Sequence, residues 1–112
     1  MILVTTDTIP GKRIVKVLGL VRGNTIRARH IGRDILASLK NIVGGEIDDY
    51  TKMMSEAREQ ALDRMISNAE SLGANAVVGV GFMTCPMMQH AAELLAYGTA
   101  VIIKDEAAQT NG

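Results

Sequence analysis

Tyr50, Met54, Ala57, Ala61, Met65, Ala69 and Leu72 recur three or four residues apart, and Glu56, Arg58, Glu59, Asp63, Arg64 and Glu70 stand between them. That spacing gives one apolar stripe and a charged remainder, which predicts a long amphipathic helix laid on an apolar surface. Gly73 follows Leu72 where helices commonly end in a left-handed residue. Asp48 or Asp49 is the expected cap at the other end. The chain has 112 residues, enough for one domain, so the rest of that domain must supply the surface this helix covers.

The flanking segments read as strands. Residues 2–5 are short and β-branched, and Asp7, Pro10 and Gly11 end them in a turn. Residues 12–22 form a strong strand, interrupted at Gly19 by a predicted bulge or close backbone approach. Gly23-Asn24 is a turn signal, after which residues 25–28 continue as the second arm of a hairpin. Ile31, Ile35, Leu39 and Ile42 then recur at helical spacing, and Gly44-Gly45 ends that shorter helix. Residues 76–84 and 94–104 are two late strands, with 85–90 too irregular to place. Strands grouped around helices predict an α+β domain over residues 1–104: two layers, a mainly antiparallel sheet with one long helix packed on it. Residues 105–112 read as a flexible tail.

Both late strands are apolar on nearly every residue, where a sheet with one wet face should alternate. One helix covers one face. The other is therefore expected to meet a second copy of the chain, with Val78 and Val101 as contact positions whose change to Asp would break assembly.

Charge and composition narrow the function. Twelve basic residues cancel twelve acidic ones, so the basic excess of a nucleic-acid binder is missing. Aromatic residues make up only 3%, namely Tyr50, Phe82 and Tyr97, which offers no stacking platform. The longest late apolar run, residues 94–103, is about half of the roughly twenty residues a membrane helix needs. The N-terminus lacks the basic start and apolar stretch of a signal peptide. The single cysteine, Cys85, excludes an intrachain disulfide, and a reducing cytoplasm is the simpler setting.

Several strings occur together in order: Val4-Thr5-Thr6, Ile9-Pro10-Gly11-Lys12, Val17-Leu18-Gly19-Leu20-Val21-Arg22-Gly23, Arg33-Asp34-Ile35-Leu36-Ala37 and Ile42-Val43-Gly44-Gly45. Glu56-Ala57-Arg58, then Leu72-Gly73-Ala74-Asn75-Ala76-Val77-Val78-Gly79-Val80, and finally Gly98-Thr99-Ala100-Val101 complete the set. Over residues 2–104 the chain resembles the YbjQ-like family, uncharacterised bacterial and archaeal proteins that carry a heavy-metal-binding label. The resemblance implies a dodecin-subunit-like arrangement, assembled as a ring-shaped homopentamer. It implies no catalytic residues.

The densest chemistry lies at Met83, Cys85, Met87, Met88 and His90. Thiolate and thioether are soft ligands suited to copper(I), and imidazole also serves zinc. Too few donors stand in one chain for a standard zinc site, but a ring would bring several copies of a half-site together. The plainer alternative makes the methionines adaptable filler at a subunit contact, Cys85 a small buried hydrophobe and His90 a surface residue. His30 among Arg27, Arg29 and Arg33 is either an anion site at a helix start or a solvated turn. In an assembly it could also pair with a neighbour's Glu46, Asp48 and Asp49. Gly44-Gly45 lacks the Lys-Ser/Thr of a phosphate loop. Cys85 and His90 lie five apart with no acid near but Glu93, so nucleophilic catalysis has little support. The sequence thus predicts a non-enzymatic oligomeric binding module for copper or zinc. A structural or scaffolding homo-oligomer that binds a protein partner is the alternative.

Overall fold

A computed structural model describes residues 1–28, 45–88 and 91–106. The shorter helix expected over residues 31–43, the cluster around His30, and His90 itself lie outside the described residues. The elements run β1 (Ile2–Leu3), β2 (Lys12–Ala28), α1 (Gly45–Ser71), β3 (Ala76–Met88) and β4 (Ala91–Asp105). They build a four-stranded sheet in the order β1-β3-β4-β2, with β1 parallel to β3 and the other pairs antiparallel. No helix among the described residues is long and apolar enough to cross a membrane.

The helix follows its apolar stripe. Ala57, Ala61, Met65 and Ala69 are wholly buried, and the last three meet Val21, Val77, Val80, Ala96 and Ala100 of the sheet. It begins at Gly45, so Asp48 and Asp49 stand inside it, near its start, rather than before it. Negative charge there suits the helix dipole just as well. Its end is as expected. Gly73 has φ +89°, its N–H reaches the carbonyl of Glu70 at 2.9 Å, and the N–H of Ala74 reaches that of Ala69 at 3.1 Å. Those two bonds are the Schellman pattern.

Asn75 then carries the chain into β3. Its side chain imitates a strand residue, donating to the carbonyl of Ile103 at 2.9 Å and accepting from the N–H of Ile103 at 2.7 Å. Asn75→Ala leaves both backbone groups without these partners, at a cost of about 1–3 kcal/mol. A thermal melt of the variant should show that loss, and an unchanged melt would contradict it.

Two features of β2 depart from expectation differently. Gly19 does mark a bulge: the register with β4 shifts between Val17 and Gly19, where φ is +124°. Gly23-Asn24, however, makes no turn, and β2 runs straight through it. The glycine serves a close approach instead. A Cβ at position 23 would lie 2.3 Å from both the Ala61 carbonyl oxygen and the Met65 nitrogen. Beside it, Arg64 donates to the Asn24 carbonyl at 2.6 Å and Asn68 to the Arg22 carbonyl at 2.7 Å.

The doubly apolar late strands have a source within the chain. On the face away from α1, Ala76, Val78, Val101 and Ile103 form a second buried cluster, and Val4, Ile9 and Ile14 pack onto it. The N-terminal segment therefore covers what the helix does not. Val78 and Val101 are 7% and 0% exposed, so they are internal core positions and not free subunit contacts. An Asp at either would unfold the domain itself. At the same end of the sheet, Lys12 pairs with Asp105. Its hydrogen bond and its charge hold the Asp105 carboxyl below the usual carboxylate range.

Candidate functional site

Beyond Val78 and Val101 the face away from α1 has no cover among the described residues. The pairing register sets which side chains share it. Leu20 pairs with Thr99, Arg22 with Tyr97, Asn24 with Leu95 and Ile26 with Glu93. On the other side of β4, Gly81 pairs with Tyr97, Met83 with Leu95 and Cys85 with Glu93. Directly opposed residues point to the same face, so Met83, Cys85, Glu93 and Asn24 belong to one surface. Tyr97 lies across Gly81: a Cβ there would meet its ring carbon Cζ and its oxygen at 2.6 Å.

Met83 and Cys85 are two residues apart and therefore side by side along β3. Met83 is 54% exposed and Cys85 is exposed as a free thiol. Within the single chain Cys85 is therefore not a buried hydrophobe. Among the described residues the N-terminal segment covers the face away from α1 only around Ala76, Val78, Val101 and Ile103, and Cys85 lies beyond it. Pro86 can sit beside it because β3 is an edge strand there, where a missing N–H costs no ladder partner.

Register also adds what the sequence reading overlooked. Glu93, considered only as a remote partner for His90, stands opposite Cys85 and accepts a hydrogen bond from Asn24 Nδ2 at 3.0 Å. A hairpin drawn through residues 85–91 would have paired the two, but that segment carries no recognisable turn signal. Met87 and Met88 complete β3. Among the described residues no three His, Cys, Asp or Glu side chains gather as a metal site. What one chain presents is an exposed thiol and thioether with a carboxylate on the neighbouring strand. That donor set fits a soft ion, with donors from elsewhere needed to fill its coordination.

A four-stranded mixed sheet with one long helix on a single face defines a small α+β domain. The chain belongs to the YbjQ family, whose model, described as "Putative heavy-metal-binding", matches residues 1–104. It is 58% identical over 103 residues to a UPF0145 protein of Methanosarcina acetivorans, covering 92% of this chain and 97% of the relative. A UPF0145 protein of Archaeoglobus fulgidus is also 58% identical, over 104 residues that make up 93% of this chain and 96% of the relative. Among solved structures, a DUF74-family protein of unknown function from Pediococcus pentosaceus matches with a TM-score of 0.63. At 17% identity it covers 93% of this chain and 98% of its own, a likeness of fold alone.

Proposed function

We propose that the chain is a non-catalytic, self-associating module, a homopentameric ring in the cytoplasm, that holds a soft metal ion. Copper(I) and zinc suit the donors: Met83, Cys85, Met87, Met88 and His90. The observation that carries this reading is the exposure of Met83 and Cys85 side by side on one face of β3. A buried thiol would be inert, whereas an exposed one can lose its proton to a metal and take it as ligand. A reducing compartment keeps that sulfur available. Met83 and Cys85 alone do not close a coordination shell, so a second copy completes the site.

The test is the paired substitution Cys85→Ser with His90→Ala. The expected outcome is loss of stoichiometric copper(I) or zinc retention after desalting, with the assembled mass unchanged. A double variant that keeps as much metal as the wild type would contradict the site.

A second reading, a scaffold that binds a protein partner and no ligand, is favoured by a separate observation. Val17 and Leu20 of β2 are 63% and 69% exposed, apolar surface that a partner would cover. Val17→Asp or Leu20→Asp is the suitable probe of assembly, because both side chains already face outward. In that reading, assembly fails in these variants while the wild type takes up no metal.

A further inference from the structure

Glu93 is a charged side chain set in a largely apolar part of the sheet. It is half-buried. Its neighbours across the ladders are Ile26 on β2 and Cys85 on β3, and Leu95 stands two residues along its own strand. Among the described residues it has no cation for a partner. Its hydrogen bond there comes from Asn24, a neutral amide, to Oε2 at 3.0 Å, which leaves Oε1 unbonded. The further a carboxylate is withdrawn from water, the more it needs a positive partner or a metal. Here that counterpart is missing, and the side chain directly opposite is the thiol of Cys85.

Opposed residues on paired strands start about 4.5–5.5 Å apart at Cβ. A zinc ion takes a thiolate at about 2.3 Å and a carboxylate oxygen at about 2.0–2.2 Å, which sets the two donor atoms roughly 3.5 Å apart. The flexible Glu93 side chain covers that difference. Met83, two residues before Cys85, lies about 6.5 Å along β3 on the same face and adds a long thioether.

Charge decides which metal gains from Glu93. Cys85 binds as thiolate, its proton passing to solvent, and brings one negative charge. That alone balances copper(I), and a carboxylate added to it leaves the cluster negative. Cys85 and Glu93 together balance a divalent ion, and the remaining positions go to neutral donors: thioether, imidazole or water. Donor character agrees, since carboxylate oxygen is a common zinc ligand, whereas copper(I) is suited by sulfur. We propose that Glu93 is a further ligand of the site, one that serves zinc and not copper(I). The proposal rests on the metal-binding reading above and adds to it a donor from β4.

Glu93→Gln and Glu93→Ala test this in the full, reduced chain with Cys85 intact. Zinc affinity is read by competition with a chromogenic zinc chelator and copper(I) affinity by competition with bicinchoninate, both at one pH. Cobalt(II), a spectroscopic stand-in for zinc, is then added to each protein. Thiolate ligation gives a charge-transfer band in the near ultraviolet, and the visible bands report the other donors. Glu106→Gln, a carboxylate change at the opposite end of β4, beside Gly11, is the control. Far-ultraviolet circular dichroism checks that each variant is folded.

The expected result is zinc binding weakened at least about tenfold in both Glu93 variants, a loss no smaller than outer-shell changes cause, with copper(I) affinity within about threefold of the wild type. Glu106→Gln should match the wild type for both metals. With cobalt, Glu93→Gln should keep the thiolate band while its visible bands shift. Folded Glu93 variants that hold zinc as tightly as the wild type would overturn the proposal and leave the site with its sulfur donors. An equal loss of both metals would also overturn it, since Glu93 would then support the site without choosing its ion. A wild type that takes up neither metal would overturn the metal-binding reading and this ligand with it.

Discussion

Gly23→Ala should be among the most damaging single-methyl additions in this domain, costing about 3 kcal/mol or more. The added Cβ would lie 2.3 Å from the Ala61 carbonyl oxygen and from the Met65 nitrogen, and 2.8 Å from Arg64 Cβ. Two of those are backbone atoms of a helix, which cannot rotate away as a side chain would. The helix must lift from β2, and the hydrogen bonds from Arg64 and Asn68 to the strand would stretch with it. Overpacking of a well-filled interior costs about 1–3 kcal/mol and occasionally more, and immobile neighbours place this case at the upper end. For a domain of this size, about 3 kcal/mol lowers the melting temperature by roughly 10–15 °C. A Gly23→Ala protein that melts with the wild type would show that α1 does not sit against β2 as described.

Met65→Ala probes the same seam from the other side. Met65 is fully buried and is among the largest side chains wholly enclosed. Around it stand Ala61, Ala69, Ala96 and Ala100 with Val21, Val77 and Val80. Alanines cannot swing into a void, so the cavity left by truncation stays open. A loss of about 2–5 kcal/mol follows, toward the larger figure where neighbours are this short. In urea unfolding the midpoint should fall with an unchanged slope. Met65→Leu should cost less than about 1.5 kcal/mol, because volume is kept. A Met65→Ala midpoint equal to the wild type would contradict the described core.

What could be read without coordinates was local. The stripe from Ala57 to Ala69 and the cap at Gly73 each depend on residues a few positions apart, so spacing alone located them. Gly19 was legible as a bulge because a glycine inside a β-branched run has few other uses. Gly23-Asn24 misled because turn statistics describe the chain alone, while here the glycine answers to a helix some forty residues away. The two-faced apolarity of residues 76–78 and 101–103 was also visible, but its cause was not. Val4, Ile9 and Ile14 come from the other end of the chain to cover it, and no local pattern says so.

The candidate site divides the same way. Soft donors at Met83, Cys85, Met87 and Met88 stand out as residue types. The exposure of Cys85 and its register with Glu93 depend on where β4 lies and how far the N-terminal segment covers the face opposite the helix. Those are long-range outcomes of packing, and they are what leave Cys85 exposed.

Native mass spectrometry of the reduced protein, titrated with copper(I) or with zinc, tests the central claim most directly. The account predicts an oligomer whose mass rises by whole metal ions, and whose Cys85→Ser variant assembles but no longer gains them. An oligomer that takes up neither metal would contradict the metal-binding module and leave the scaffold. A monomer would contradict both.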